Sequence, residues 1–271
     1  MTSPITPLIR AHPRAVFPPV WYRPEMTLSV LAIIAVTILF SSFLSGVFGM
    51  AGGMVLLGVL LNYFGVATGM ILFSIIQLFA NGWRALQWRR YVLWPIFGWY
   101  VGGAIIAFAA MWTIAFVPDK AMVYLALGLM PFAVELLPSA MRPNIEWQGV
   151  PFLTGVMTTI IQILAGVGGL FLDIFFQKSM LDRKTTNATK AVTQSFSHVV
   201  RAGYFGSLAG IGDVPLWATP PAILLAIAGT SLAPFVIERM TDHGYRQWTR
   251  AIIFAISVVY LGRAGWLFWH G

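Results

Sequence analysis

The sequence predicts an all-α polytopic membrane protein made of two inverted repeats, each a Gly-broken re-entrant or discontinuous helix followed by three transmembrane helices. Composition is the first reason. Of 271 residues, 58% are hydrophobic and 10% charged, with a mean hydropathy of +0.80, whereas about a quarter of a soluble domain is charged. The second reason is a phrase that occurs twice. Gly49-Met50-Ala51-Gly52-Gly53 precedes Gln77-Leu78-Phe79-Ala80-Asn81-Gly82-Trp83-Arg84-Ala85, and Ala165-Gly166-Val167-Gly168-Gly169 precedes Gln194-Ser195-Phe196-Ser197-His198-Val199-Val200-Arg201-Ala202. The Gly pairs lie 116 residues apart and the Gln-x-Phe-x4-Arg-Ala phrases 117 apart, so one register with a single-residue gap aligns both. Duplicated hydrophobic segments interrupted by Gly are the sequence outline of a secondary transporter.

The third reason is where the cations fall. With Arg84, Lys190, Arg201 and Arg263 set aside as intramembrane or interfacial, thirteen Lys and Arg remain in the arm and loops. Eight plain spans divide them six to seven, re-entry of the fifth segment alone gives twelve to one, and re-entry of the first and fifth gives nine to four. Either re-entrant arrangement obeys the positive-inside rule better than eight spans. Two re-entrant segments also invert one half relative to the other, the symmetry that alternating access uses.

In chain order, residues 1–26 form a flexible Pro-rich arm with Arg10, Arg14 and Arg23 and no apolar run that could be the core of a signal peptide. Apolar stretches follow at 27–63, 66–88, 91–112 and 119–137, which make the first repeat, 27–137. A linker at 138–148 leads to stretches at 149–177, 185–208, 214–237 and 246–269, the second repeat, 149–271. A span needs roughly 20 residues. Trp and Tyr gather near the ends, among them Trp88, Tyr91, Trp94, Trp147, Trp217 and Trp269, as rings at the headgroup level do. Cysteine is absent, which excludes disulfides and thiolate chemistry. The formal charge of +8 is spread over loops, so nucleic acid is not an expected partner. No HExxH, GxSxG, Walker A or Asp-rich metal motif is present, and the chain is expected to be no enzyme and to need no metal or cofactor.

The Gly breaks have a physical reason. Irregular backbone inside the hydrocarbon layer survives only where protein buries it or water reaches it. Short helices beginning at Met54 and Leu170 would aim free N–H groups and positive dipole ends at the protein's middle, where anions are favoured. Close helix packing through small residues is the plainer reading of Gly52, Gly53, Gly168 and Gly169; their duplication in register favours the site.

The segment 185–208 carries a polar stripe. Asn187, Lys190, Gln194, His198 and Arg201 fall three or four residues apart and share one helix face. Gln77, Asn81 and Arg84 make the matching stripe in the first repeat. Charged groups at such depth are costly and mark substrate paths. Arg201 is read as the principal charge and Arg84 as the weaker one, since Arg84 can also snorkel beside Arg89 and Arg90. Asp173, in a run of Leu, Phe and Ile, must be paired or protonated. It and His198 are the candidates for a coupling proton, and a salt bridge from Asp173 to Lys190 or Arg201 is the alternative.

Gly46, Gly49 and the Gly52–Gly53 pair, their echo at Gly166-Val167-Gly168-Gly169, and the helix entry Lys184-Thr185-Thr186-Asn187-Ala188-Thr189 resemble the sulfite exporter TauE/SafE family over about 27–269. That resemblance implies a bacterial-type inner-membrane permease for small anions: sulfite, sulfonates such as sulfoacetate, or related organosulfur anions. Membrane lipid is its surroundings, a proton or sodium ion its coupling partner for uptake, and a homodimer is allowed. An anion channel with the same helix-dipole site and a carboxylate transporter are the alternatives. The short helices depart from the family pattern, with Met54 and Gly58 in the first copy and Leu170 and Asp173 in the second.

Overall fold

Apolar surface faces outward and polar side chains face inward, the reverse of a soluble domain. Phe40, Trp99, Ile106, Leu224 and Val259 are exposed, while Ser41, Ser74, Gln77, Thr158, Gln162 and Arg201 are buried. Such an arrangement suits lipid as the outer solvent. The structure, a computed structural model, describes residues 27–48, 51–166, 168–237, 239–240 and 242–270. The Pro-rich arm, Gly49, Met50 and Val167 lie outside the described residues.

Ten α-helices occur among the described residues: α1 (Leu28–Phe48), α2 (Ala51–Tyr63), α3 (Val66–Gln87), α4 (Trp94–Ile114), α5 (Lys120–Leu136), α6 (Val150–Ala165), α7 (Gly168–Phe176), α8 (Arg183–Ala209), α9 (Thr219–Ile237) and α10 (Asp242–His270). Among the described residues, five stretches are long and apolar enough to cross a membrane: α1, α3, α4, residues Leu216–Val236 and residues Gln247–His270. Helix α8 fails that measure although it has 27 residues, because its polar stripe lowers its hydropathy.

The first and fifth apolar stretches of the sequence are each broken in two, into α1 and α2 and into α6 and α7. Gly166 ends α6 in the left-handed region, φ 76°, with its N–H returning to the Gln162 carbonyl, a termination that glycine favours. The short helices begin at Ala51 and Gly168, not at Met54 and Leu170, because each Gly-Gly pair forms part of the first turn and does not precede it.

Each short helix folds back along its predecessor. A Cβ on Gly52 would run into the Ser41 carbonyl, and one on Gly168 would lie 2.7 Å from the Thr158 carbonyl. Ser41 and Thr158 are 117 residues apart, the register of the duplicated phrases. At the open end of the second pair, the chain entering α6 is tied to the chain leaving α7: Ile145 N–H donates to the Phe175 carbonyl at 2.8 Å, and the Asn144 amide donates to the Lys178 carbonyl at 3.2 Å.

The main helix contacts are α1 with α9, α4 with α6, α3 with α8, and α5 with α10. Exchanging the first five helices for the last five maps α1 on α9 onto α6 on α4, and leaves the other two pairs unchanged. The α4 and α6 backbones touch because neither has a side chain at the crossing: a Cβ on Gly103 would overlap the Phe152 carbonyl, and one on Gly155 the Tyr100 carbonyl. Gly229 does the same for α9 against the Leu39 carbonyl of α1. Small residues let bundle helices approach this closely.

Candidate functional site

The two breaks meet at a partly open cavity of about 40 Å³, lined by Ser45, Gly53, Phe73, Gln77, Asn81, Tyr100, Gln162, Gly166, Gly168, Gly169, Leu172, Gln194, Ser197 and His198. A water needs roughly 10–15 Å³ measured this way, so the space suits a few waters or one small anion. Four pairs of lining residues are related by the duplicated register: Ser45 with Gln162, Gly53 with Gly169, Gln77 with Gln194, and Asn81 with His198. The lining has no carboxylate.

Of the residues singled out from the sequence, Gly53, Gln77, Asn81, Gly168, Gly169, Gln194 and His198 line this cavity. Gly52, Met54 and Leu170 are buried in the first turns behind it. Arg84 touches it indirectly. Its guanidinium donates to Asn81 Oδ1, to Gln194 Oε1 at 3.3 Å and to the Ser45 carbonyl at 3.2 Å. Arginine has no acceptor, so the Gln194 carbonyl oxygen must turn toward it, which leaves the Gln194 NH₂ as the end free to meet a ligand.

Arg201 sits deeper than the sequence suggests. It is 0% exposed and spends its donors on protein: Nε on Ser74 Oγ at 2.7 Å, Nη1 on the Gly166 carbonyl at 2.6 Å and Nη2 on His198 Nδ1 at 3.1 Å, with the Phe73 ring 4.4 Å away. Arg201 thereby ties the second break to α3 and α8. Gln162 makes the same pattern from the other side: its Oε1 accepts Gly168 N–H at 2.7 Å, and its Nε2 lies 3.2 Å from His198 Nδ1. Both neighbours of Nδ1 are donors, so Nδ1 is the acceptor and Nε2 carries the imidazole proton.

Asp173 pairs with Lys190, one of the two partners the sequence offers it, and neither lines the cavity. Asn187 is exposed near the start of α8 and does not join the group. The helical stripe is real, but its first two turns extend beyond the cavity.

Six lining side chains, Ser197 among them, escape sequence reasoning. Tyr100 enters because α4 and α6 cross on glycines, and its hydroxyl bonds Ser197 and, at 2.9 Å, Thr158. Phe73 and Leu172 supply apolar wall. Ser45 and Gln162 come from the helices before the breaks; they lie 117 residues apart, in the register of the repeat, but Ser against Gln does not read as a duplication. Ser45 Oγ is buried and has no hydrogen-bond partner among the described residues.

A family model described as Sulfite exporter TauE/SafE matches residues 33–260. The chain belongs to the TauE/SafE family. It is a multi-pass membrane protein of a transporter family, as its apolar helices require. Neither curated proteins nor solved structures give a significant match. In this TauE/SafE protein the duplicated phrases converge on one carboxylate-free, donor-rich cavity.

Proposed function

We propose that this TauE/SafE protein carries a small sulfur oxyanion by alternating access, with the cavity between the two broken helices as its binding site. One observation carries the reading: Ser45, whose Oγ is buried and without a hydrogen-bond partner among the described residues, lines a cavity bounded in register-related pairs by amides, an imidazole and the first turns of two short helices. A buried polar group left unmet costs about 1–3 kcal/mol, which a bound oxyanion would relieve. The Gln194 NH₂ and His198 Nε2–H are further donors. The positive ends of α2 and α7 add favourable potential, and Arg84 and Arg201 stand behind the lining as fixed charge. A volume of about 40 Å³ favours an inorganic anion of sulfite's size over sulfonates with a carbon tail.

The fold-back of α2 and α7 and the exchange symmetry of the helix contacts support two inverted repeats, 27–137 and 149–271, as the moving units, joined by the linker 138–148. Rocking of one against the other around the cavity would open it to either side in turn. Export of an anion from a negative cytosol gains about 2.3 kcal/mol per charge per 100 mV, so export needs no coupled ion. The Asp173–Lys190 pair then serves as a lock on α7 against α8, not as a proton carrier.

The test is tracer binding to detergent-purified protein that elutes as one peak. Sulfite is expected to bind more tightly than sulfoacetate, and Gln194→Leu to weaken it about tenfold or more, as for a lost hydrogen bond to a charged group. Stabilisation by cations or neutral solutes alone rejects the proposal.

A further inference from the structure

A second cavity, of about 580 Å³, opens on the outer flank of α2, against α5 and α10. That size falls within the range of small-molecule sites. Its floor is Val55 and Val59 of α2 with Ile256 and Val259 of α10, and its polar end is Asn62 and Arg263. On each helix the polar residue comes seven positions after the first apolar one, two turns or about 10 Å nearer the helix C-terminus. The groove thus grades from apolar to cationic along its length.

Its lining cation, Arg263, lacks a counter-ion among the described residues. Arg263 is exposed and has no carboxylate partner among the described residues; its guanidinium lies 4.6 Å from the Trp266 ring. Lys120, at the start of α5, is close enough for its ammonium and Arg263 to repel one another. The neighbouring Asp119 carboxylate is engaged as the α5 N-cap, accepting Met122 N–H at 2.7 Å. The Arg263 guanidinium at the polar end of an apolar groove, with Lys120 near enough to feel its charge, on the lipid-facing side of a membrane protein, asks for an amphiphilic anion. We propose that this groove holds one anionic phospholipid, its phosphate on Arg263 and Lys120 and an acyl chain along Val55, Val59, Ile256 and Val259.

The occupant would sit on the helix that builds the central site. Tyr260 donates to the Met54 carbonyl and Tyr124 to the Gly58 carbonyl at 3.1 Å, so both tyrosines hold α2 from the groove side while Gly53, on the same helix, lines the anion cavity.

Native mass spectrometry of the full chain, released from detergent after exchange with phosphatidylglycerol or phosphatidylcholine, tests the site. One phosphatidylglycerol is expected to be retained in preference to phosphatidylcholine. The double variant Arg263→Gln, Lys120→Gln should weaken that retention about tenfold or more, from two interfacial cations. Val259→Trp, which fills the floor and leaves both charges, should also displace the lipid, and it serves if the charge variant fails to fold. Equal retention of both lipids, retention unchanged in Val259→Trp, displacement by millimolar inorganic phosphate, or a dimer without lipid would each overturn the proposal.

Discussion

Two arginines occupy matched places in the duplicated phrase, and the structure divides their labour. Sequence ranks Arg201 as the anion's charge and Arg84 as its lesser mate. Geometry argues for different roles: Arg201 is consumed by Ser74, Gly166 and His198, whereas Arg84 reaches Asn81 and Gln194, which face the cavity. Arg201→Gln leaves the Gly166 carbonyl and Ser74 Oγ short of a donor in a fully buried place, at about 1–3 kcal/mol each. It should therefore lower the melting temperature more than Arg84→Gln does. Arg84→Gln should elute as a single folded peak and bind the anion about tenfold or more weakly. Thermal melts and tracer binding on the two variants check this; wild-type affinity in Arg84→Gln would show that Arg84 only braces Ser45 and Asn81. Much of this site is legible in the sequence because Gln77, Asn81, Gln194 and His198 recur at helical spacing in register. Ser45 and Gln162 are not, because they lie before the breaks, outside both duplicated phrases, and Tyr100 is not, because only the glycine crossing of α4 and α6 brings it inward.

At the scale of the element, the fold-back of the short helices rests on glycines that admit no side chain. Gly52→Ala would drive a methyl into the Ser41 carbonyl, and Gly168→Ala would press on both the Thr158 carbonyl and the Gln162 side chain that caps α7. Overpacking of this kind costs about 1–3 kcal/mol, and here the obstruction is backbone, which cannot rotate away. Gly98→Ala, in α4 with open space around it, should be neutral or gain up to about 1 kcal/mol. Melting temperatures of the three variants separate a steric role for the Gly pairs from general glycine flexibility. The sequence marks the breaks but misplaces the helix starts by two or three residues, since nothing in Gly52–Gly53 says whether the pair precedes a helix or opens one. The start of α8 at Arg183 falls two residues before the stretch expected from 185, because Asp182 caps it, accepting N–H bonds from Lys184 at 2.8 Å and Thr185 at 3.1 Å. The Thr185 hydroxyl bond, with those N–H bonds, holds the Asp182 carboxyl below its ordinary range. A carboxyl depressed in the folded state stabilises above its unfolded value and loses that contribution as pH falls through the folded one. The gap in melting temperature between wild type and Asp182→Ala should therefore be widest at neutral pH and close below about pH 3.9. A gap independent of pH would mean the cap works without its charge.

For the whole molecule, the decisive question is which loops share a face. Lys184 lies over the rings of Trp88 and Tyr91, at 5.7 and 5.5 Å, so the turn after α3 and the start of α8 are at one end. Tyr204 donates to the Phe116 carbonyl at 2.8 Å, so the turn after α4 lies beside the other end of α8. Between residues 184 and 204 a helix rises about 30 Å, the thickness of the hydrocarbon layer. The helix contacts that produce this arrangement are not readable from composition, because α1 on α9 and α4 on α6 depend on where single glycines meet a facing carbonyl. If the first and fifth segments both fold back, nine of the thirteen loop and arm cations are expected to share a face, which the positive-inside rule would make cytoplasmic. In this Cys-free chain, Arg89→Cys and Met180→Cys should both react with an impermeant thiol reagent from the cytoplasmic side, and Val117→Cys only from the opposite side. Eight straight crossings put positions 89 and 180 on opposite faces. Labelling of the two from opposite sides would thus exclude a re-entrant fifth segment, and with it the inverted halves on which a rocking mechanism depends; labelling from one side leaves α6 and α7 no path except in and back.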